Sequence, residues 1–127
     1  MLQAVYQAQL LDHYRNPRNK GLVSDPDFLT DELNPSCGDR VTLSGKIADG
    51  KIVQLGFEGS GCVISQAAAS LLYEYALNKS CADLLALNAD AMQKLIGVEL
   101  GPVRLKCALL PLEALQKGIY QCAAKKN

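Results

Sequence analysis

Apolar and polar residues alternate along residues 41–57 with a period of two, which is typical of strands with one buried face. The apolar members of the pattern are Val41, Leu43, Ile47, Val53, Leu55 and Phe57. Asp49 and Gly50 interrupt it, and this pair favours a type I′ turn, whose two central residues both need a positive φ. The pattern predicts an antiparallel hairpin, with a third short strand through Val63 and Ile64.

The segment before the hairpin divides into a helix and a connector. Residues from about Leu2 to Tyr14 predict a helix that ends at Asn16, because the residue before a proline is disfavoured in the α region. Residues 18–34 contain glycine, proline and several aspartates. We therefore expect them to form an irregular connector.

Helical patterns dominate the rest of the chain. The predicted helices run from Ser65 to about Asn78, from Ser80 over a short stretch, from Asn88 to Ile96, and from near Cys107 past Leu115. Gly97 is a natural helix stop, and Pro111 is tolerated only in a first helical turn. Together the elements predict an α+β fold, in which a small antiparallel β-sheet of about three strands packs against several α-helices in one domain, residues 1–127.

Composition narrows the functional classes. The chain has 127 residues, of which 49% are hydrophobic, so it can bury a core without a metal. Thirteen basic residues balance thirteen acidic ones, which argues against nucleic acid or a membrane as partner. No apolar run approaches the ~20 residues of a membrane span, and the N-terminal residues do not resemble a signal peptide. We expect a cytoplasmic protein, in which cysteines serve as thiols or metal ligands rather than as disulfides.

Three of the five cysteines lie in sequence contexts that a packing cysteine does not need. Cys37 lies in Asn-Pro-Ser-Cys-Gly-Asp, Cys62 in Gly-Ser-Gly-Cys-Val-Ile-Ser, and Cys107 in Arg-Leu-Lys-Cys-Ala. Three thiolates and the carboxylate of Asp39 would make a soft-metal site. Spacing alone leaves open a shared metal site and buried packing cysteines, because no Cys-x-x-Cys pair is present.

These motifs, in this order, resemble the iron–sulfur assembly family of IscU, SufU and the NifU N-terminal domain. The segment Asp12-His-Tyr-Arg-Asn-Pro-Arg-Asn-Lys-Gly is similar to the SufU branch in particular. The resemblance covers nearly the whole chain. It implies that a few side chains gather at one exposed tip and bind zinc, iron or a transient [2Fe–2S] cluster, namely Cys37, Asp39, Cys62 and Cys107. It also implies a cysteine desulfurase as the sulfur donor, and apo iron–sulfur proteins or downstream carriers as acceptors.

The sequence departs from each branch of that family. Lys106 stands where IscU proteins carry a histidine before the third cysteine, which matches the SufU pattern. The stretch between Cys62 and Cys107 is too short for the insertion that SufU proteins carry. The chaperone-recruiting segment of IscU is matched only in part by residues 101–104. The chain therefore combines features of both branches.

The resemblance and the predicted elements assign roles to single residues. Cys107 is the candidate sulfur acceptor, because we expect it at a helix N-terminus, where a thiol pKa falls, and beside the charge of Lys106. The alternative for Lys106 is a solvated lysine that pairs with a nearby carboxylate. Cys81 and Cys122 are expected to fill core space, and His13, the single histidine, to cap or pack.

The sequence leaves three functions open. The first is a scaffold on which a cluster assembles before it passes to an apo-protein. The second is a zinc-dependent sulfurtransferase that binds no cluster, and the third is a structural zinc module. The account that we favour is an iron–sulfur cluster assembly protein that receives persulfide sulfur from a cysteine desulfurase, as scaffold or as sulfur carrier.

Overall fold

The computed structural model describes residues 2–125, so the outermost residues of the predicted domain, Met1, Lys126 and Asn127, lie outside the described residues. The elements are α1 (Leu2–Arg15), β1 (Phe28–Asn34), β2 (Asp39–Ala48), β3 (Lys51–Ser60), α2 (Val63–Ala76), α3 (Cys81–Leu85), α4 (Ala89–Ile96) and α5 (Pro102–Lys125). The strands form an antiparallel sheet in the order β1-β2-β3. The predicted α+β class, with about three strands and several helices, is confirmed.

The β2–β3 hairpin forms where the alternating pattern predicts it. Asp49 and Gly50 adopt φ values of 54° and 74°, the positive values that the predicted turn requires. The alternation is interrupted once, because Lys46 pairs with Gln54 and Ile47 with Ile52, which leaves an extra residue in β3. Val53 is consequently 46% exposed while Ile52 is wholly buried, so the expected inward position of Val53 is wrong.

The third strand lies in a different place from the predicted one. β1 occupies part of the segment 18–34 that was expected to be an irregular connector, and it pairs along its length with β2. Phe28 and Thr30 point into the core, whereas Leu29 and Leu33 remain exposed on the outer face. Residues 63 and 64, the predicted third strand, instead begin α2.

Helices α2 and α5 pack together against one face of the sheet, and α1 packs on α2. The core between them is built from aliphatic and aromatic side chains, including Phe28, Leu43, Phe57, Leu72, Tyr73 and Leu115. The short helices begin and end as predicted. Ser80 and Asn88 accept N-cap hydrogen bonds, and Gly97 ends α4 in the left-handed conformation.

Helix α5 begins earlier than the sequence pattern predicts. It starts at Pro102, a favoured first helical residue, so Cys107 lies in the second turn and not at the N-terminus. Pro111 lies inside this helix rather than in its first turn, and its carbonyl accepts a hydrogen bond from the buried Tyr73 hydroxyl at 2.8 Å. Among the described residues, no helix is long and apolar enough to cross a membrane.

Candidate metal centre

A tight turn between β1 and β2 presents Cys37 and Asp39 together. Gly38 donates its N–H to the carbonyl of Asn34 at 2.8 Å, and the Asn34 side chain accepts the N–H of Ser36 at 3.2 Å. The Cys37 side chain is exposed at the tip of this turn, whereas Asp39, the first residue of β2, is fully buried. Asn34 is not among the predicted site residues, although Asn-Pro is a recognised turn signal.

Cys62 joins the same site from the start of α2. It is the N-cap of α2, which begins at Val63 and not at the predicted Ser65, and its thiol accepts the Ser65 N–H. The Cys62 N–H donates to Oδ1 of Asp39 at 2.8 Å, and its Sγ lies 3.3 Å from Oδ2 of the same carboxylate. This close approach depends on Gly61, which has a φ of 129° and whose added Cβ would lie 2.0 Å from Oδ1 of Asp39.

Cys107 completes the cluster from inside α5. Its Sγ lies 3.5 Å from the Sγ of Cys37, and the ligand atoms of Cys37, Asp39 and Cys107 all lie within 4.8 Å of one another. Cys62 lies outside this group of three, and it joins the site through the Asp39 carboxylate. The structure thus brings together all four residues that the sequence singled out.

The pKa values of the two buried residues of the site, Cys107 and Asp39, shift in opposite directions. Burial, followed by hydrogen bonds to Asp39 and Cys37, raises the pKa of the Cys107 thiol strongly. The expectation that a helix N-terminus lowers this pKa is therefore wrong, since Cys107 lies in the second turn of α5. Burial alone would raise the pKa of Asp39, but hydrogen bonds from Cys37, from the Cys62 N–H and from Cys107 outweigh it and hold the pKa low.

Two donor separations in the site are close to those around a tetrahedral soft-metal ion. Two thiolates on one zinc, each ~2.3 Å from the metal, stand about 3.8 Å apart, and a thiolate and a carboxylate oxygen about 3.5 Å apart. The corresponding separations here are 3.5 Å between Cys37 and Cys107, and 3.3 Å between Cys62 and Asp39. Thiolates with one carboxylate suit zinc and iron alike, so the donor set fits a metal without selecting one.

Lys106 is exposed beside the site. It lines a cleft of about 200 Å³ together with Cys37, Cys107, Pro102 and Val103. None of the ion pairs between described residues includes Lys106, so the alternative in which it pairs with a carboxylate gains no support.

The other singled-out residues serve packing. His13 is buried, and its Nδ1 lies 2.7 Å from the hydroxyl of Ser70, which confirms the packing role. Burial, aided by the charge of Arg18, lowers the pKa of His13. Cys122 belongs to the hydrophobic core, and Cys81 packs against the core, as expected for residues that fill core space.

The sequence model described as the NifU-like N terminal domain matches residues 5–127 of this chain. A zinc-dependent sulfurtransferase SufU from Bacillus subtilis is 39% identical over 136 positions, covering 93% of this chain and 91% of the relative. An iron–sulfur cluster assembly scaffold protein IscU 1 from Archaeoglobus fulgidus is 32% identical over 123 positions, covering 97% of this chain and 80% of the relative. The alignment with SufU is longer than this chain, so that relative contains residues that this chain lacks.

Two solved structures have folds similar to that of this chain. An N-terminal NifU-like protein from Brucella abortus has a TM-score of 0.80 at 22% identity, covering 98% of each chain. A putative scaffold protein for the SUF system from Fervidobacterium islandicum has a TM-score of 0.75 at 26% identity, covering 92% of this chain and 98% of the other. With its matched sequence, fold and cysteine motifs, the chain belongs to the NifU-like N-terminal domain family.

Proposed function

We propose that this protein is an iron–sulfur cluster assembly protein that accepts persulfide sulfur from a cysteine desulfurase. The observation that carries the proposal is the pair of thiols of Cys37 and Cys107, 3.5 Å apart beside the ionised carboxylate of Asp39. A structural zinc module is the weaker alternative, because the chain buries a core of its own and needs no metal for that purpose.

The metal would be held by Cys37, Asp39, Cys62 and Cys107, as either zinc or iron. A bound metal ion supplies positive charge that stabilises thiolates, including that of Cys107, whose pKa is raised without it. Asp39 is the hardest donor of the four and the one that soft metals hold least tightly. We therefore assign to Asp39 the control of how easily a cluster leaves the site.

Sulfur transfer needs no added oxidant. The thiolate of an acceptor cysteine attacks the outer sulfur of the persulfide on the partner, so one S–S bond forms as another breaks. The electron pair of the broken bond remains on the partner's cysteine, which takes up the proton that the acceptor thiol has lost. The acceptor then carries the persulfide, and the partner's thiol is restored.

The exposure of the two cysteines supports an order of sulfur transfer. Cys37 is exposed at the tip of its turn, whereas Cys107 is only 5% exposed. We assign first attack to Cys37, followed by transfer of the outer sulfur to Cys107, whose Sγ is 3.5 Å away. Cys107, the acceptor that the sequence predicts, thereby receives sulfur second. Lys106 lines the cleft through which the partner's persulfide would enter and supplies a positive charge there.

Four observations bear on whether the protein is a scaffold or a zinc-dependent sulfurtransferase. The relative of higher identity is named a zinc-dependent sulfurtransferase, and the lysine before the third cysteine is a SufU-like feature. The shorter stretch between Cys62 and Cys107 favours the scaffold, and the chain aligns with an IscU scaffold over 97% of its length. A cytoplasmic location and apo iron–sulfur proteins as final acceptors belong to the same proposal.

Cysteine turnover by a desulfurase tests the proposal. The protein is added in zinc-loaded and metal-free forms, and as Cys37→Ser, Cys107→Ser and, as a matched control away from the site, Cys81→Ser. We expect the wild type and Cys81→Ser to accelerate turnover and to gain a sulfur atom by mass spectrometry. Cys37→Ser should do neither, and Cys107→Ser should retain sulfur on Cys37.

The same assay separates the two functions. Acceleration by the zinc form alone identifies a zinc-dependent sulfurtransferase. Sulfur uptake without a zinc requirement, followed by assembly of a [2Fe–2S] cluster when iron is added anaerobically, identifies a scaffold. If no form accelerates turnover and no cysteine of the protein gains sulfur, the proposal is wrong.

A further inference from the structure

A second cleft lies beside the metal centre, between the C-terminal end of α1 and the glycine-rich end of β3. Its volume is about 430 Å³, and it is lined by Tyr14, Arg15, Pro17, Lys20, Gly59, Ser60, Gly61 and Gln66. None of these residues is assigned a metal or a sulfur atom by the proposed function. The cleft is therefore separate from the four residues assigned to metal binding and sulfur transfer.

Two cationic side chains, Arg15 and Lys20, line this cleft. Arg18, between them in sequence, pairs with Asp12 at 2.7 Å and with Glu74 at 3.7 Å. Within residues 2–125, no ion pair involves Arg15 or Lys20. The acidic side chains of this region thus neutralise Arg18 and leave two positive charges facing one cavity.

A buried amide donor lies at the same cleft. Nε2 of Gln66 is buried and makes no hydrogen bond in the described part of the chain, a costly state for an amide. The Gln66 amide packs directly against Gly59, where an added Cβ would lie 3.0 Å from Nε2. Gln66 lines the cleft, and the last torsion of a glutamine side chain is broad, so its amide rotates at little energetic cost.

The backbone adds another donor. Phe57 donates its N–H to the carbonyl of Asn19 and accepts the N–H of Gly21, so both of its polar groups face away from β2. Strand residues two positions apart point their polar groups to the same side, so the N–H of Gly59 also faces the free edge of β3. That edge borders the cleft.

We propose that this cleft binds a carboxylate group. A carboxylate has two acceptor oxygens and a negative charge, which match two unpaired cations, an amide donor without an acceptor and a backbone N–H at a strand edge. The carboxylate belongs either to a small free acid or to an acidic side chain of a protein partner. The inference does not depend on the proposed sulfur chemistry, since the donors are distinct from the four metal-site residues.

Nuclear magnetic resonance titration of the isotope-labelled, full-length chain tests the proposal. The probes are sodium acetate, for a free acid, and the blocked peptide acetyl-Gly-Glu-Gly-amide, for a protein-borne carboxylate, both at an ionic strength held constant with chloride. We expect saturable shifts of the Gln66 side-chain amide and of the Gly59 backbone amide. Tighter binding of the peptide assigns the site to a partner's acidic residue, and tighter binding of acetate assigns it to a free acid.

Variants separate a specific site from general charge attraction. Arg15→Gln and Lys20→Gln should each weaken binding about tenfold, the effect of losing one charge-assisted hydrogen bond. Lys51→Gln, which removes an exposed lysine at the opposite end of β3, should leave the affinity within about twofold. Gln66→Met should weaken binding while the chain stays folded. Equal effects of the three lysine and arginine variants, shifts confined to the cysteine residues, or no saturable shift with either probe would overturn the proposal.

Discussion

Replacing Gly61 with alanine should damage the metal centre from a residue that has no ligand atom. Gly61 has a φ of 129°, which alanine rarely adopts, and its added Cβ would lie 2.0 Å from Oδ1 of Asp39. The carboxylate must therefore move, and it loses the hydrogen bond from the N–H of Cys62, now 2.8 Å long. The variant tests whether the close contact between Gly61 and Asp39 holds the Asp39 carboxylate in its position in the site.

The size of the effect follows from two contributions. Forcing alanine into a positive-φ conformation costs about 1 to 2 kcal/mol. Losing a hydrogen bond to an ionised carboxylate costs about 2 kcal/mol. We therefore expect the free energy of unfolding of metal-free Gly61→Ala to fall by about 3 to 4 kcal/mol.

Gly38→Ala is the matched control. Gly38 also has a positive φ, 75°, and lies next to Asp39, but an added Cβ would meet no atom within 4 Å. It should lose only about 1 kcal/mol of stability from backbone strain. Urea unfolding of both reduced, metal-free variants gives the stability difference, and competition with a chelator gives their zinc affinities. Equal stabilities and equal zinc affinities would refute the reasoning, because the contact with Asp39 would then carry no energy.

Three further predictions concern other parts of the molecule. Lowering the pH below about 6.5, the ordinary pKa of histidine, should destabilise the fold by up to ~1.4 kcal/mol per pH unit, because the unfolded chain takes up a proton that the buried His13 imidazole resists. Urea unfolding from pH 7.5 to 5 should show this slope in the wild type and lose it in His13→Gln. Tyr73→Phe should cost about 1 to 2 kcal/mol in thermal unfolding, because it leaves the Pro111 carbonyl without the hydroxyl donor, now at 2.8 Å. Asp39→Ala should hold a reconstituted [2Fe–2S] cluster longer than the wild type when an apo-ferredoxin is offered as acceptor, and transfer at the wild-type rate would exclude control by Asp39.

Local signals in the sequence predict the elements that local chemistry determines. The Asp49-Gly50 turn, the Ser80 and Asn88 caps and the Gly97 stop all lie where their residue types place them. Strand β1 lacks a clear alternation of apolar and polar residues. Phe28 and Thr30 face the core, while Leu29 and Leu33 lie on the exposed side. Its pairing with β2 is a tertiary contact that no local period reveals.

Sequence motifs predict which residues come together in the site, but they do not predict the pKa shift of Cys107. The motifs around Cys37, Cys62 and Cys107 indicate a shared site, and the structure brings these residues together with Asp39. The start of α5 at Pro102 moves Cys107 into a second turn, and the fold buries its thiol. The direction of the Cys107 pKa shift therefore depends on packing that the sequence does not display.

X-ray absorption at the metal edge of the zinc-loaded chain shows whether the three cysteines and Asp39 bind one metal ion. The account predicts one zinc ion with three sulfur ligands at about 2.3 Å and one oxygen ligand at about 2.0 Å, from Cys37, Cys62, Cys107 and Asp39. A coordination shell of nitrogen and oxygen atoms, or one with a single sulfur, would contradict a site built from these three cysteines.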